Sequence, residues 1–213
     1  MGIKFEKTEV MNFEGAIRGM RNPLNSWCLS DSYQDYYNFG HGKPADFIIG
    51  EKDLNLMKRL INAGTDHRKF MRQIIVSVDI IAPLYFFKEF DTYKVGTVAN
   101  SCSTMHKIHE KELTLDDFSC EKLGEIEINM MKSIIEVLND NREAFIETKE
   151  KYYWEQMIQL LPSSYNQKRT VTLNYEVLRN IAHSRKNHKL DEWSIGFMEW
   201  IDSLPYANVL LRS

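Results

Sequence analysis

Residues 73–81 constrain this chain most: they read Gln-Ile-Ile-Val-Ser-Val-Asp-Ile-Ile and run into Ala82-Pro83. Successive side chains of an extended strand point to opposite faces. Ile74, Val76, Val78 and Ile80 therefore share one face, and Ile75, Ser77, Asp79 and Ile81 the other. A β-branched run of period two that stops at proline predicts a strand with one apolar face. Residues 168–173, Lys-Arg-Thr-Val-Thr-Leu, alternate in the same way and predict a second strand.

Helical spacing fills the chain around them. Leu54, Met57, Leu60 and Ile61 predict a helix over 53–63, with Asp53 as its N-cap and Gly64 as a left-handed C-cap. Residues 84–90 are dense in aromatics and read as a short helix, with Pro83 near its first turn. Residues 92–104 are small and polar and read as a loop. Asp116 and Asp117 are expected to cap a long helix carrying Leu123, Ile126, Met130, Ile134, Ile135 and Leu138. That pattern ends at Asn139-Asp140-Asn141 and makes about six turns at 3.6 residues per turn. A second helix is expected from about Arg142 to Leu160, stopping at Pro162. Asn174 is a good N-cap for a helix through Val177, Leu178, Ile181 and Ala182 to about Arg185. Trp193, Phe197, Trp200, Ile201 and Leu204 mark a last helix before Pro205. Residues 1–50 mix apolar side chains with Asn, Gly and a tyrosine-rich stretch at 33–40, and predict short elements and loops.

The apolar content, 43% with 12% aromatic, suffices for a sizeable core, and the few prolines and glycines argue against long disorder. With no compositional break and no repeat, 1–213 reads as a single domain. No run approaches the roughly 20 apolar residues of a membrane span, and the N-terminus lacks an apolar leader. Three cysteines, Cys28, Cys102 and Cys120, with no CxxC spacing suggest neither a disulfide framework nor a zinc ribbon. These features point to a cytoplasmic protein without a membrane partner. A net charge of −3, from 27 Lys and Arg against 30 Asp and Glu, leaves no basic block for general nucleic-acid binding.

Catalytic motifs are sparse. None of the six histidines, His41, His67, His106, His109, His183 and His188, has zinc-ligand spacing, and they read as surface residues, so no metal is expected. Cys102 lies between Ser101 and Ser103 with no identifiable base. A nucleophile elbow, a phosphate loop and a dinucleotide fingerprint are all missing.

An ordered set of segments from Asp53 to Leu204 resembles the flavin-dependent thymidylate synthases. The helix ending at Gly64, the strand 74–81, Ala82-Pro83 and the aromatic helix 84–90 follow that family's order, and Thr92-Tyr93-Lys94 stands where its Arg-His-Arg signature falls. Leu160-Leu161-Pro162 resembles its Val-Leu-Pro, followed by Asn174, Leu178, Asn180, Arg185 and Glu192-Trp193, with the family's step from Asn174 to Arg185. Counted without a gap, Cys102 falls at the motif serine; with one extra residue, Thr97, Asn100 and Ser103 fall on its Ser, Asn and Ser, which matches more residue types.

The resemblance implies an α+β fold, a central mostly antiparallel sheet packed with long helices. It also implies an FAD enzyme that methylates dUMP or a related pyrimidine nucleotide, with methylenetetrahydrofolate as carbon donor and NADPH as reductant, built as a homotetramer with shared active sites. Arg185 and Ser103 then take the catalytic positions. Glu89, Lys94, Thr97 and Asn100 join them around the nucleotide, while Tyr93, Lys94, Asn174 and Asn180 meet the flavin. Thr92, Tyr93, Lys94, Ile158 and Glu176 depart from the family, since arginine's planar fork is what holds phosphate bidentately. Alternatives are an altered homologue that keeps fold, oligomer and a flavin or nucleotide, and a non-enzymatic helical interaction protein.

Overall fold

The computed structural model describes residues 2–36 and 46–213. Tyr37 to Gly40 of the tyrosine-rich stretch, and His41, lie outside the described residues.

The predicted strand forms as β4 (Ile75–Pro83) and pairs along its whole length with β6 (Asn166–Asn174), from Ile75 opposite Asn174 to Pro83 opposite Asn166. A strand with an apolar face needs neighbours on both edges to satisfy its backbone. The N-terminal strand β1 (Lys4–Met11) fills the other edge, and the order β1-β4-β6-β5 is antiparallel throughout, with β5 being Val98–Ser101. Two short strands, β2 (Tyr33–Asp35) and β3 (Asp46–Ile48), form a separate ribbon. The α+β class with its antiparallel sheet is the one expected.

The two faces of β4 divide as its alternation requires. Val76, Val78, Ile80 and Ala82 are buried with Val171 and Leu173 of β6, in one core with α1 (Phe13–Arg21), α2 (Glu51–Asn62), α3 (Leu84–Phe90) and α7 (Tyr175–Arg185). On the other face Thr170 donates a hydrogen bond to Asp79 (2.6 Å), and Lys168 bridges Asp79 and Glu6 at 3.0 Å each. Those bonds, the Thr170 hydroxyl first, hold the Asp79 carboxyl below its usual pKa.

A second apolar cluster joins Ile108, Leu113 and Phe118 to Met131, Ile135 and Leu138 of α5 (Glu125–Thr148) and Met157 of α6 (Lys151–Leu160). After α7 the chain forms a π-helical stretch, Glu192–Phe197, then α8 (Met198–Asp202) and α9 (Ala207–Leu210).

Four expectations need correction. Gly50, not Asp53, is the N-cap of α2. Asp53 is wholly buried inside the helix, 2.5 Å from Arg21 Nε, and accepts hydrogen bonds from the Ser30 and Ser32 hydroxyls and from the Asp31 and Ser32 amides. Burial opposes its charge, but the two serines and Arg21 outweigh it and keep the Asp53 pKa below the usual carboxylate value. The presumed loop 92–104 contains β5, whose polar residues gain strand structure from the β6 backbone rather than from side-chain burial, and α4 (Thr104–Lys107).

The remaining two concern α5. Gly124 is its N-cap, while Asp116 and Asp117 belong to a tight turn in which Thr114 and Asp117 cap each other reciprocally. The helix also runs through Asn139-Asp140-Asn141 to Thr148 and is capped at Lys149, where φ is 60°, so the helix expected from about Arg142 begins instead at Lys151 as α6. Asn139 is used in tertiary pairing, accepting from the Leu113 amide and donating to its carbonyl (both 2.9 Å), and Asn141 donates to the Val137 carbonyl a turn earlier. Asn139, engaged by Leu113, no longer competes with the helical backbone. Of the predicted stripe, Leu123, Ile126 and Met130 face outward.

Candidate functional site

Arg185 closes α7 in a corner between α3 and the turn that follows it. Asn174 starts this helix by accepting the Val177 amide at 3.1 Å, as its sequence position suggests, and the apolar row Leu178, Ile181 and Ala182 turns the helix so that Arg185 faces α3. There Arg185 Nη1 lies 2.8 Å from Glu89 Oε2, and Nε donates to the Tyr93 hydroxyl at 2.8 Å. The guanidinium also lies 5.5 Å from the Tyr93 ring centre and 5.3 Å from that of Trp193, within reach of cation–π attraction. Its side chain is only 15% exposed, and Nη2 has no hydrogen-bond partner among the described residues.

Aromatic packing holds the corner. Trp193 is fully buried, stacked 4.2 Å from Phe86 and 6.2 Å from Phe90, with His188 and Phe197 at its edges. Its indole Nε1 is buried with no hydrogen-bond partner among the described residues.

The turn after Tyr93 lies against the start of α7. Gly96 has φ +78°, and a Cβ there would stand 3.0 Å from Asn174 Nδ2 and 3.2 Å from Val177 Cγ2. Glycine is needed both for the left-handed backbone and for the approach. Beside it the Thr97 hydroxyl is buried and has no hydrogen-bond partner among the described residues. Lys94 is exposed, its carbonyl accepting the Thr97 amide.

The structure thus brings Glu89, Tyr93 and Arg185 into direct contact, and packs Gly96, the residue before Thr97, against Asn174. Asn100 is exposed on edge strand β5 opposite Thr170, and Ser103 accepts the His106 amide as the cap of α4. Asn180 is exposed on α7. No hydrogen bond links these three to Arg185 among the described residues. Thr92 is exposed, Ile158 packs on the second apolar cluster, and Glu192, just before Trp193, takes the Tyr85 hydroxyl. Glu176 is buried and faces Arg68, whose Nε lies 3.1 and 3.0 Å from its two oxygens.

Sequence reading assigned no role to Arg169 and Arg68. Arg169 donates to Gln167 (2.9 Å) and Asp91 (3.0 Å) and lies 4.0 Å over the Phe87 ring. The signal for it was available: Arg169 shares the parity of the buried Val171 and Leu173, so a charge there must be paired. Arg68 lies 108 residues from Glu176 and left no such trace.

No group of three or more metal-ligating side chains occurs among the described residues, and none of their helices is long and apolar enough to cross a membrane. No protein-family model matches the chain, and no curated protein does. Solved structures do match. Thymidylate synthase X (ThyX) from Helicobacter pylori with FAD and dUMP aligns with TM-score 0.69 and 18% identity over 99% of this chain and 97% of its own. A second structure of flavin-dependent thymidylate synthase ThyX from Helicobacter pylori, complexed with FAD and dUMP, aligns with TM-score 0.68 and 18% identity over 99% and 98%. At this identity the likeness is one of fold.

Proposed function

We propose that this protein binds a pyrimidine nucleotide of the dUMP type, with Arg185 as the clamp for its phosphate. One observation carries the reading: the Arg185 guanidinium is largely enclosed and fixed in plane by Glu89 and Tyr93, with its Nη2 edge unpaired. A guanidinium held this way presents a fork of donors to an anion with little ordering left to lose. Lys94 adds an exposed cation to the same turn, and the buried Thr97 hydroxyl, with no hydrogen-bond partner among the described residues, follows the Gly96 that packs against Asn174. The Helicobacter proteins of the same fold hold dUMP, which supports the choice of nucleotide.

FAD fits less well. Its diphosphate needs several cationic or amide donors, and the signature positions carry Thr92, Tyr93 with its hydroxyl already used by Arg185, and the single cation Lys94. At Glu176 a carboxylate stands, already neutralised by Arg68. At these positions the chain therefore supplies fewer diphosphate donors than the resembled signature does.

A second reading is the full reaction of the resembled family, reductive methylation of dUMP by methylenetetrahydrofolate with reduced FAD and NADPH. It is favoured by Asn174 and Arg185 bounding α7 at the family's spacing, with Gly96 packed against Asn174. A homotetramer belongs to either reading, and the outward Ile126, Met130 and Val137 of α5 offer an apolar surface for it.

Calorimetric titration with dUMP tests the proposal. Wild type is expected to bind it, and Arg185→Ala to lose at least tenfold in affinity; equal binding by the variant overturns the assignment. Purified protein should be colourless and show no dUMP-dependent NADPH oxidation with added FAD. A yellow protein that oxidises NADPH when given dUMP replaces the first reading with the second.

A further inference from the structure

A cleft of about 760 Å³ opens between the sheet core and the start of α5, and Arg185 does not line it. Ligand pockets typically measure about 300–1,000 Å³, with apolar walls and a few convergent polar groups. Here Ile3, Leu123, Met131, Leu190 and Ile195 supply apolar walls. Leu123 and Ile195 are exposed despite their size, so part of this apolar surface is open to an occupant. The π-helical stretch shapes one wall: Gly196 lets Ile3 approach so closely that a Cβ would lie 2.3 Å from its side chain. Such π-turns recur at functional sites.

The polar features of the cleft are specific. Tyr85 and Glu192 both line it, and the Tyr85 hydroxyl donates to Glu192 Oε1, leaving Oε2 with no hydrogen-bond partner among the described residues. Burial first, and then the bond to Glu192, push the Tyr85 phenol well above its ordinary pKa, so it stays a donor. Of the other charges of the lining, Lys122 and Asp191 pair with each other at 2.9 Å, and Glu121 and Lys189 are exposed.

We propose that this cleft is a second small-molecule site, which takes a flat apolar ligand bearing an amidine-like or amino N–H donor directed at the open oxygen of Glu192. An anionic head is disfavoured there because it would face a carboxylate whose one donor partner, Tyr85, is already committed. The inference stands apart from the nucleotide reading, since none of Glu89, Tyr93 and Arg185 lines the cleft.

Benzamidine is a minimal probe, a flat ring with an amidinium, and benzoate is its anionic counterpart. Amide NMR titration of the full chain should show saturable benzamidine shifts at Tyr85, Leu123 and Glu192, with no saturable benzoate response. Glu192→Gln should weaken benzamidine at least fivefold. Leu123→Lys, at a position already exposed, should do the same by placing a cation in the cleft, which keeps the test open if the first variant folds poorly. No saturable benzamidine binding, benzoate binding as tightly, or benzamidine affinity unchanged in a folded variant each overturns the proposal. Loss of dUMP binding in Arg185→Ala bears only on the other site.

Discussion

Glu89→Gln should tighten the binding of a nucleotide monophosphate at Arg185. Glu89 Oε2 already occupies one edge of the guanidinium at 2.8 Å, so a phosphate on the open Nη2 edge meets a second negative charge across the same arginine. For unit charges about 5 Å apart, an effective dielectric of about 20 gives a repulsion of about 3 kcal/mol. The Glu89 side chain is 45% exposed, so solvent and salt reduce this to about 1 kcal/mol. Removing the charge while keeping an acceptor of the same shape should therefore lower the dUMP dissociation constant roughly fivefold. Calorimetry with wild type and Glu89→Gln, at low and high salt, measures it, with deoxyuridine as the control that lacks the phosphate. The gain should shrink as salt rises and be absent for deoxyuridine. Unchanged or weaker dUMP binding, or an equal gain for deoxyuridine, would refute competition between Glu89 and phosphate for Arg185.

Three further outcomes test the fold around the site. Asp53→Ala strands Arg21, whose side chain is 4% exposed, and loss of one partner of a buried pair should cost about 3–5 kcal/mol in denaturant unfolding. Asp79 has a depressed folded pKa, so its contribution is present above the unfolded value of about 3.9 and lost as pH falls through the folded one. The stability gap between wild type and Asp79→Asn should accordingly stay level from neutral pH down to about 5 and close below about 4, as followed by urea midpoints across pH. Gly96→Ala forces a Cβ into a left-handed turn against Asn174 and Val177; a cost of about 1–2 kcal/mol should lower the melting temperature by roughly 2–4 °C per kcal/mol in calorimetric scans.

Where a segment's own residues decide its state, the chain was legible. Residues 73–81 could only be a strand with a buried face, because every second side chain is branched and apolar, and Asn174 could cap α7 because it bonds a backbone amide three residues on. The failures have a common origin. Asp53 looked like a cap until Arg21, 32 residues earlier, drew it inside. Asn139 looked like a helix stop until Leu113 claimed its amide, and Val98–Ser101 looked like a loop until β6 lent it a partner.

The candidate site divides along the same line. The local order of residues foretells that Arg185 ends a helix begun at Asn174, that the aromatic segment 84–90 follows a proline, and that Thr92-Tyr93-Lys94 holds fewer arginine forks than the resembled signature. Packing of distant elements brings Tyr93, 92 residues from Arg185, to it together with Glu89, and answers Glu176 with Arg68. Periodicity and capping act over a few residues and are written into the local order of side chains. A charge buried at the meeting of distant elements takes whichever partner the packed core brings within hydrogen-bond reach.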